Sequence, residues 1–113
     1  MTCDPWQVVI VPFPFTDRAT TKRRPALVLS ATEFNQHGHS VLAMITSASH
    51  QPWPGDTRLG DLSAAGLTTE SLVRLKIFTL DNRFVVRCLG ALAAADRVAV
   101  AAEIHGVMPL TSD

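Results

Sequence analysis

The stretch QVVIVPFPF at residues 7–15 decides the fold class. It is rich in β-branched and aromatic residues, and its apolar side chains do not alternate with polar ones. A strand of this kind has both faces covered, by a curled sheet or by a partner subunit. Pro12 and Pro14 stand two apart, so their ring nitrogens face the same edge of the strand. A strand proline removes a ladder donor, so that edge must be unpaired or bulged where the prolines lie. The strand therefore reaches a sheet border toward its end.

Working outward, residues 16–24, TDRATTKRR, read as a loop and residues 25–32, PALVLSAT, as a second strand. FNQHGHS at 34–40 is a polar turn, and VLAMITS at 41–47 is a third strand. Residues 47–56 form a loop with two prolines, residues 57–62 a weaker fourth strand, and the chain turns at Gly66. SLVRLKIFTL at 71–80 begins as an alternating strand, with Arg74 and Lys76 on one face. A turn at Asp81 and Asn82 leads to a last strand over 83–89. The Ala-rich residues 93–108 then have high helix propensity, with Val100, Ile104, Val107 and Met108 at helical spacing. Gly106 and Pro109 mark that helix's end, and no Ser, Thr, Asp or Asn cap stands directly before it. The expectation is a mainly β (α+β) fold: a small, curled antiparallel β-barrel with a C-terminal helix packed on it. At 113 residues it forms one domain, 1–113.

Ten basic and ten acidic residues cancel, so no global field draws the chain to nucleic acid. Any such binding must use a local patch, and Arg18, Lys22, Arg23 and Arg24 crowd into seven positions. Cys3 and Cys88 have no zinc-type spacing and read as reduced thiols of a cytoplasmic protein. There is no signal-peptide pattern and no apolar run of about 20 residues, so no membrane partner is expected. His37 and His39 lie in a polar turn with no third ligand nearby. His50, just past the third strand, is a better proton carrier, and His105 reads as structural.

Several segments resemble the MazF/PemK toxin family, in the family's order. They are QVVIVPFPFTD, KRRPALVLS, VLAMITSAS, SLVRLKIFTLD and RCLGALAAADRVAVAAEI, which together span nearly the whole chain. Each motif is weak alone and the set in register is specific. The resemblance implies an SH3-like, CcdB-like barrel with a C-terminal helix, usually a homodimer. It also implies a bacterial endoribonuclease that cuts single-stranded RNA by internal transesterification and is held in check by a cognate antitoxin. The chain departs from the family at Trp6 and Gln7, where many relatives carry Gly-Asp, and at Lys76, where many carry an acidic residue.

Such cleavage requires removing the 2′-hydroxyl proton, stabilising charge at phosphorus and protonating the leaving 5′-oxygen. Asp and Glu do not cluster in the sequence as a hard cation would require, so no metal or other cofactor is expected. Charge stabilisation then falls to Arg, Lys and hydroxyl groups. Arg24 precedes a proline, which favours an extended backbone there, and its guanidinium fork matches phosphate oxygens. By resemblance Arg24, Thr46 and Arg74 fall on the family's catalytic positions. The expected RNA-binding set is Arg18, Lys22, Arg23, Ser47, Trp53 and Lys76, with Trp53 and Phe15 able to stack bases. Two alternatives remain: a CcdB-like toxin that binds DNA gyrase, whose aromatic C-terminal end is absent from MPLTSD, and a degenerate domain that only binds.

Overall fold

The computed structural model describes residues 1–13 and 22–110. In chain order it contains β1 (Gln7–Phe13), β2 (Lys22–Val28), α1 (Thr32–Asn35), β3 (His39–Ser47) and β4 (Thr57–Arg58). These are followed by α2 (Leu62–Ala65), β5 (Ser71–Asp81), a 3-10 turn (Asn82–Phe84), β6 (Arg87–Ala91) and α3 (Ala94–Val107). The strands form one antiparallel sheet in the order β4-β5-β3-β2-β1-β6, curled into a half-barrel with α3 on it.

β1 is apolar on both faces because each face has its own core. Val8 packs with Leu27, Ala43, Ile45 and Val73 under Ala65 of α2 and Val100 of α3. Val9 and Val11 pack on the other side with Cys3, Ala26, Val28, Leu42, Leu80 and Val85. Val8 and Val9 are both 0% exposed. The curled sheet thus covers β1 within one chain, and its apolarity requires no second subunit.

The prediction that β1 reaches a border holds on its β6 side. Pairing with β6 ends at Ile10↔Arg87, and the Ile10 carbonyl accepts from the Val86 N–H at 2.8 Å. By alternation the ring nitrogen of Pro12 faces that same side, beyond the last rung.

Several boundaries differ from the sequence reading, each for a local reason. β2 starts at Lys22 because the β1–β2 ladder extends to Phe13↔Lys22, so Lys22, Arg23 and Arg24 belong to a strand and not a loop. β4 is only two residues long, because the Asp61 side chain accepts from the Ala64 N–H and starts α2. Asp81 accepts from the Arg83 N–H in the same way, so residues 82–84 form a 3-10 turn and β6 begins at Arg87. Residues 32–35 form α1 where the end of the second strand and the start of a polar turn were expected. α3 matches its predicted span and starts without a side-chain cap. It is pinned instead by Asp96, which accepts from the Gly60 and Asp61 N–H groups at 2.9 and 3.0 Å.

Candidate functional site

The candidate site starts from one missing hydrogen. Ile10 turns its backbone polar groups toward β6, so its partner across β2, Pro25, turns its own toward β3. Leu27 bonds that way opposite Ala43, and the next rung would need an N–H on residue 25. Proline has none. The β2–β3 ladder accordingly ends at Ala26↔Met44. Beyond that rung lies a cleft of about 420 Å³, bordered by Arg24 and Pro25 on one lip and by Ile45, Thr46 and Ser47 on the other.

The remaining walls come from distant parts of the chain. α2 ends at Gly66 with φ +74°, which sends Leu67, Thr68 and Thr69 to the cleft with Ser71. That turn is seated hard on β6: a Cβ at Gly66 would fall 2.2 Å from the Leu89 carbonyl oxygen, and one at Gly90 2.4 Å from that of Ala64. Arg87, at the start of β6, also borders the cleft. Sequence reading did not nominate Arg87, Thr68, Thr69 or Ser71. Arg87 reaches the cleft because β6 pairs with β1, and Ser71 because β5 pairs with β3 at Ser47; no local spacing announces either pairing.

Arg24 is half-buried, and Arg24 and Arg87 have no ion-pair partner among the described residues. Strand parity places Arg24 and Thr46 on the face that carries Val11 and Ala26. Thr46 is only 6% exposed as a residue and borders the cleft, while the exposed Ser47 hydroxyl pairs with that of Ser49 at 2.9 Å. Two guanidinium groups and several hydroxyls around one opening can bind an anion with oxygens on several sides, as a phosphodiester has. Lys22 and Arg23 are exposed at the start of β2. Arg18 and Phe15 lie outside the described residues.

Arg74, Lys76 and Trp53 form a second group. Arg74 pairs across from Met44, on the same face as Arg24 and Thr46 but outside the cleft's border. β5 carries two extra residues here, Leu75 and Lys76, between the Met44↔Arg74 and Ala43↔Ile77 pairs. Arg74 and Lys76 nevertheless both meet the Trp53 ring, with Cζ at 5.6 Å and Nζ at 4.7 Å from its centroid. Trp53 is 45% exposed, a rim position. Arg74 and Asp56 form a bidentate pair, Nε to Oδ1 at 3.1 Å and Nη2 to Oδ2 at 2.9 Å, with side chains only 11% and 12% exposed. The hydrogen bond to Asp56 pushes the Arg74 guanidinium further up. His50 is exposed and does not border the cleft. Among the described residues no three His, Cys, Asp or Glu side chains come together as a metal site requires.

Comparison with known proteins agrees with this architecture. A chain of the MazE–MazF crystal structure from Deinococcus radiodurans superposes with a TM-score of 0.78 at 22% identity, covering 98% of this chain and 100% of that one. The Mycobacterium tuberculosis toxin MazF-mt6 gives 0.74 at 21% identity, over 94% and 99%. A mycobacterial endoribonuclease in complex with its cognate antitoxin gives 0.76 at 17% identity, over 98% and 99%. Among curated proteins no sequence match is found. The family description of PemK-like, MazF-like toxins matches residues 4–108, nearly the whole chain. This chain therefore belongs to the PemK-like, MazF-like toxins of type II toxin–antitoxin systems.

Proposed function

We propose that the protein is a sequence-specific endoribonuclease acting on single-stranded RNA without a metal. The cleft between β2 and β3 is its reaction site. The observation that carries this reading is the meeting of Arg24 and Thr46 on opposite lips of an opening that the intervening proline creates. In the reaction the 2′-oxygen attacks the adjacent phosphorus and loses its proton. The bond to the 5′-oxygen breaks, that oxygen gains a proton, and the products are a 2′,3′-cyclic phosphate and a 5′-hydroxyl.

Arg24 stabilises the extra charge on the phosphate oxygens and donates toward the leaving oxygen. A guanidinium holds its proton too tightly to serve as the general base. Thr46 adds a hydroxyl donor to the same phosphate. Arg87, Ser47, Thr68, Thr69 and Ser71 hold the flanking nucleotide. Lys22 and Arg23 track the backbone beyond the cleft, Arg18 adds a further cation for RNA on the strength of the resemblance, and Trp53 and Lys76 extend the RNA surface along the sheet.

In the cell this activity belongs to a cytoplasmic bacterial toxin that acts as a homodimer and is neutralised by a cognate antitoxin. Antitoxin complexes of similarly folded chains support the partner. The gyrase-binding alternative is not favoured, since the family match is to the MazF-like toxins. The test is to incubate purified protein with a long single-stranded RNA in EDTA and analyse the ends. Cyclic-phosphate and 5′-hydroxyl ends are expected. Products with 5′-phosphates would refute the mechanism, and no cutting of diverse RNAs would refute the activity.

A further inference from the structure

The loop of residues 51–56 is tied to β5 by a single ion pair. Asp56 uses Oδ1 for Arg74 Nε, and Oδ2 both for Arg74 Nη2 and for the Trp53 backbone N–H at 2.8 Å. Arg74 Nη2 also donates to the Gln51 carbonyl at 2.7 Å. Three of the five guanidinium N–H donors are therefore committed inside the protein, and the flat edge that would grip a phosphate is already filled by a carboxylate. Lys76 has no carboxylate partner among the described residues and keeps its ammonium over the exposed indole.

We propose that Trp53 and Lys76 form a nucleotide-binding subsite separate from the cleft, and that Arg74 is a positioning residue within it, locked by Asp56. The indole stacks one unpaired base of the RNA and Lys76 takes that nucleotide's phosphate. The Asp56–Arg74 pair fixes where the indole stands: it holds the loop at Gln51 and Trp53 from one end, and from β5 it presents a cation beneath the ring. This rests on the RNA-cleaving reading above and gives Arg74 a role different from the catalytic one implied by resemblance.

Two measurements separate the proposal from that reading. The first is steady-state cleavage of one RNA by the wild type, Trp53→Ala, Lys76→Met, Asp56→Asn and Arg74→Lys. The second is quenching of tryptophan fluorescence by a 2′-O-methyl RNA oligonucleotide, which cannot be cut because its 2′-oxygens are blocked. Trp53→Phe identifies which part of the signal comes from Trp53. Trp53→Ala and Lys76→Met are expected to raise KM about tenfold with kcat within twofold. Asp56→Asn should do the same and lose most of the quenching, although the indole and the ammonium are both still present. Lys76→Met alters an exposed strand position, so its result stands even if another variant folds poorly.

A hundredfold fall in kcat at unchanged KM in Arg74→Lys would make Arg74 catalytic and overturn the proposal. So would an unchanged KM in Trp53→Ala, or a wild type that cuts RNA with no quenching. A wild type that quenches on the oligonucleotide yet cuts no RNA would support the subsite and overturn the nuclease reading.

Discussion

At Asp56, burial pushes the carboxyl up. Hydrogen bonds from the Arg74 guanidinium and the Trp53 amide, together with the guanidinium charge, outweigh that effect and leave it below its ordinary value of 3.8. A carboxyl depressed in the folded state contributes stability that is complete above the unfolded value and is lost as pH falls through the folded one. Losing the charge-assisted bidentate pair, Asp56→Asn should cost about 2 kcal/mol at pH 7, and because the folded carboxyl is depressed its deficit against wild type should shrink below about pH 4. Urea unfolding at pH 7 and pH 3 reads both numbers. Nearby, Thr57 Oγ1 is buried with no hydrogen-bond partner among the described residues. Thr57→Val removes that unpaired group and is expected to stabilise the protein by about 1 kcal/mol in the same assay.

Trp6 shows what a single sequence conceals at this scale. It holds φ +74°, a conformation natural to glycine and costly, by roughly 1–2 kcal/mol, to any other residue. Its N–H donates to the Val28 carbonyl and its carbonyl accepts from the Leu92 N–H, at 2.8 and 3.0 Å, and the indole packs against the core. The glycine that the resemblance implies at this point would adopt that conformation without cost. The departure was visible in the sequence, but the left-handed turn was not. Likewise the alternation of Arg74 and Lys76 placed both beside one another, while the capture of Arg74 by Asp56 depends on how a proline-rich loop closes.

Among the elements, the decisive one is β2, and its decisive residue is Pro25. If its missing N–H ends the β2–β3 ladder, then Pro25→Ala should add a rung opposite Ile45 and narrow the cleft. A slowly exchanging amide at residue 25 is expected, with cleavage reduced at least tenfold and no loss of thermal stability. Full activity would show that the opening does not depend on the proline. α3 makes a second test, because its Asp96 holds the segment between β4 and α2 by two N–H bonds. Asp96→Ala should lower stability by about 2 kcal/mol in urea unfolding. Strands with strong apolar patterns and the Ala-rich helix were readable in advance because burial alone specifies them. The bounds of β4, α2 and the 3-10 turn were misread because the side-chain caps of Asp61 and Asp81 decide them, and α1 is too short to show a period.

Across the molecule, β1 is buried on both faces by two cores of its own chain, so the two-sided pattern that suggested a partner is satisfied internally. The basic residues of β2 point to a different kind of partner. With zero net charge overall, the exposed Lys22 and Arg23 beside Arg24 make a local basic patch, and on the proposed toxin reading this patch would receive an acidic segment of the antitoxin. Neutralising Lys22 and Arg23 together should weaken antitoxin binding at least tenfold and flatten its salt dependence, as titration calorimetry at two salt concentrations would read. Unchanged inhibition would remove the patch from that interface. The cleft itself joins residues from β1, β2, β3, β5, β6 and the turn after α2. Only its Arg24, Thr46 and Ser47 corner was legible from sequence, and the Arg87 side waited on strand order.

The most direct test of the account is the single-turnover rate of RNA cleavage in EDTA by wild type and Arg24→Ala, with both shown to be folded and to bind an uncleavable RNA. If Arg24 stabilises the charge that builds on phosphorus, the rate should fall about 10³-fold while binding changes little. A rate within a few-fold of wild type would contradict the assignment of the β2–β3 cleft as the site of chemistry.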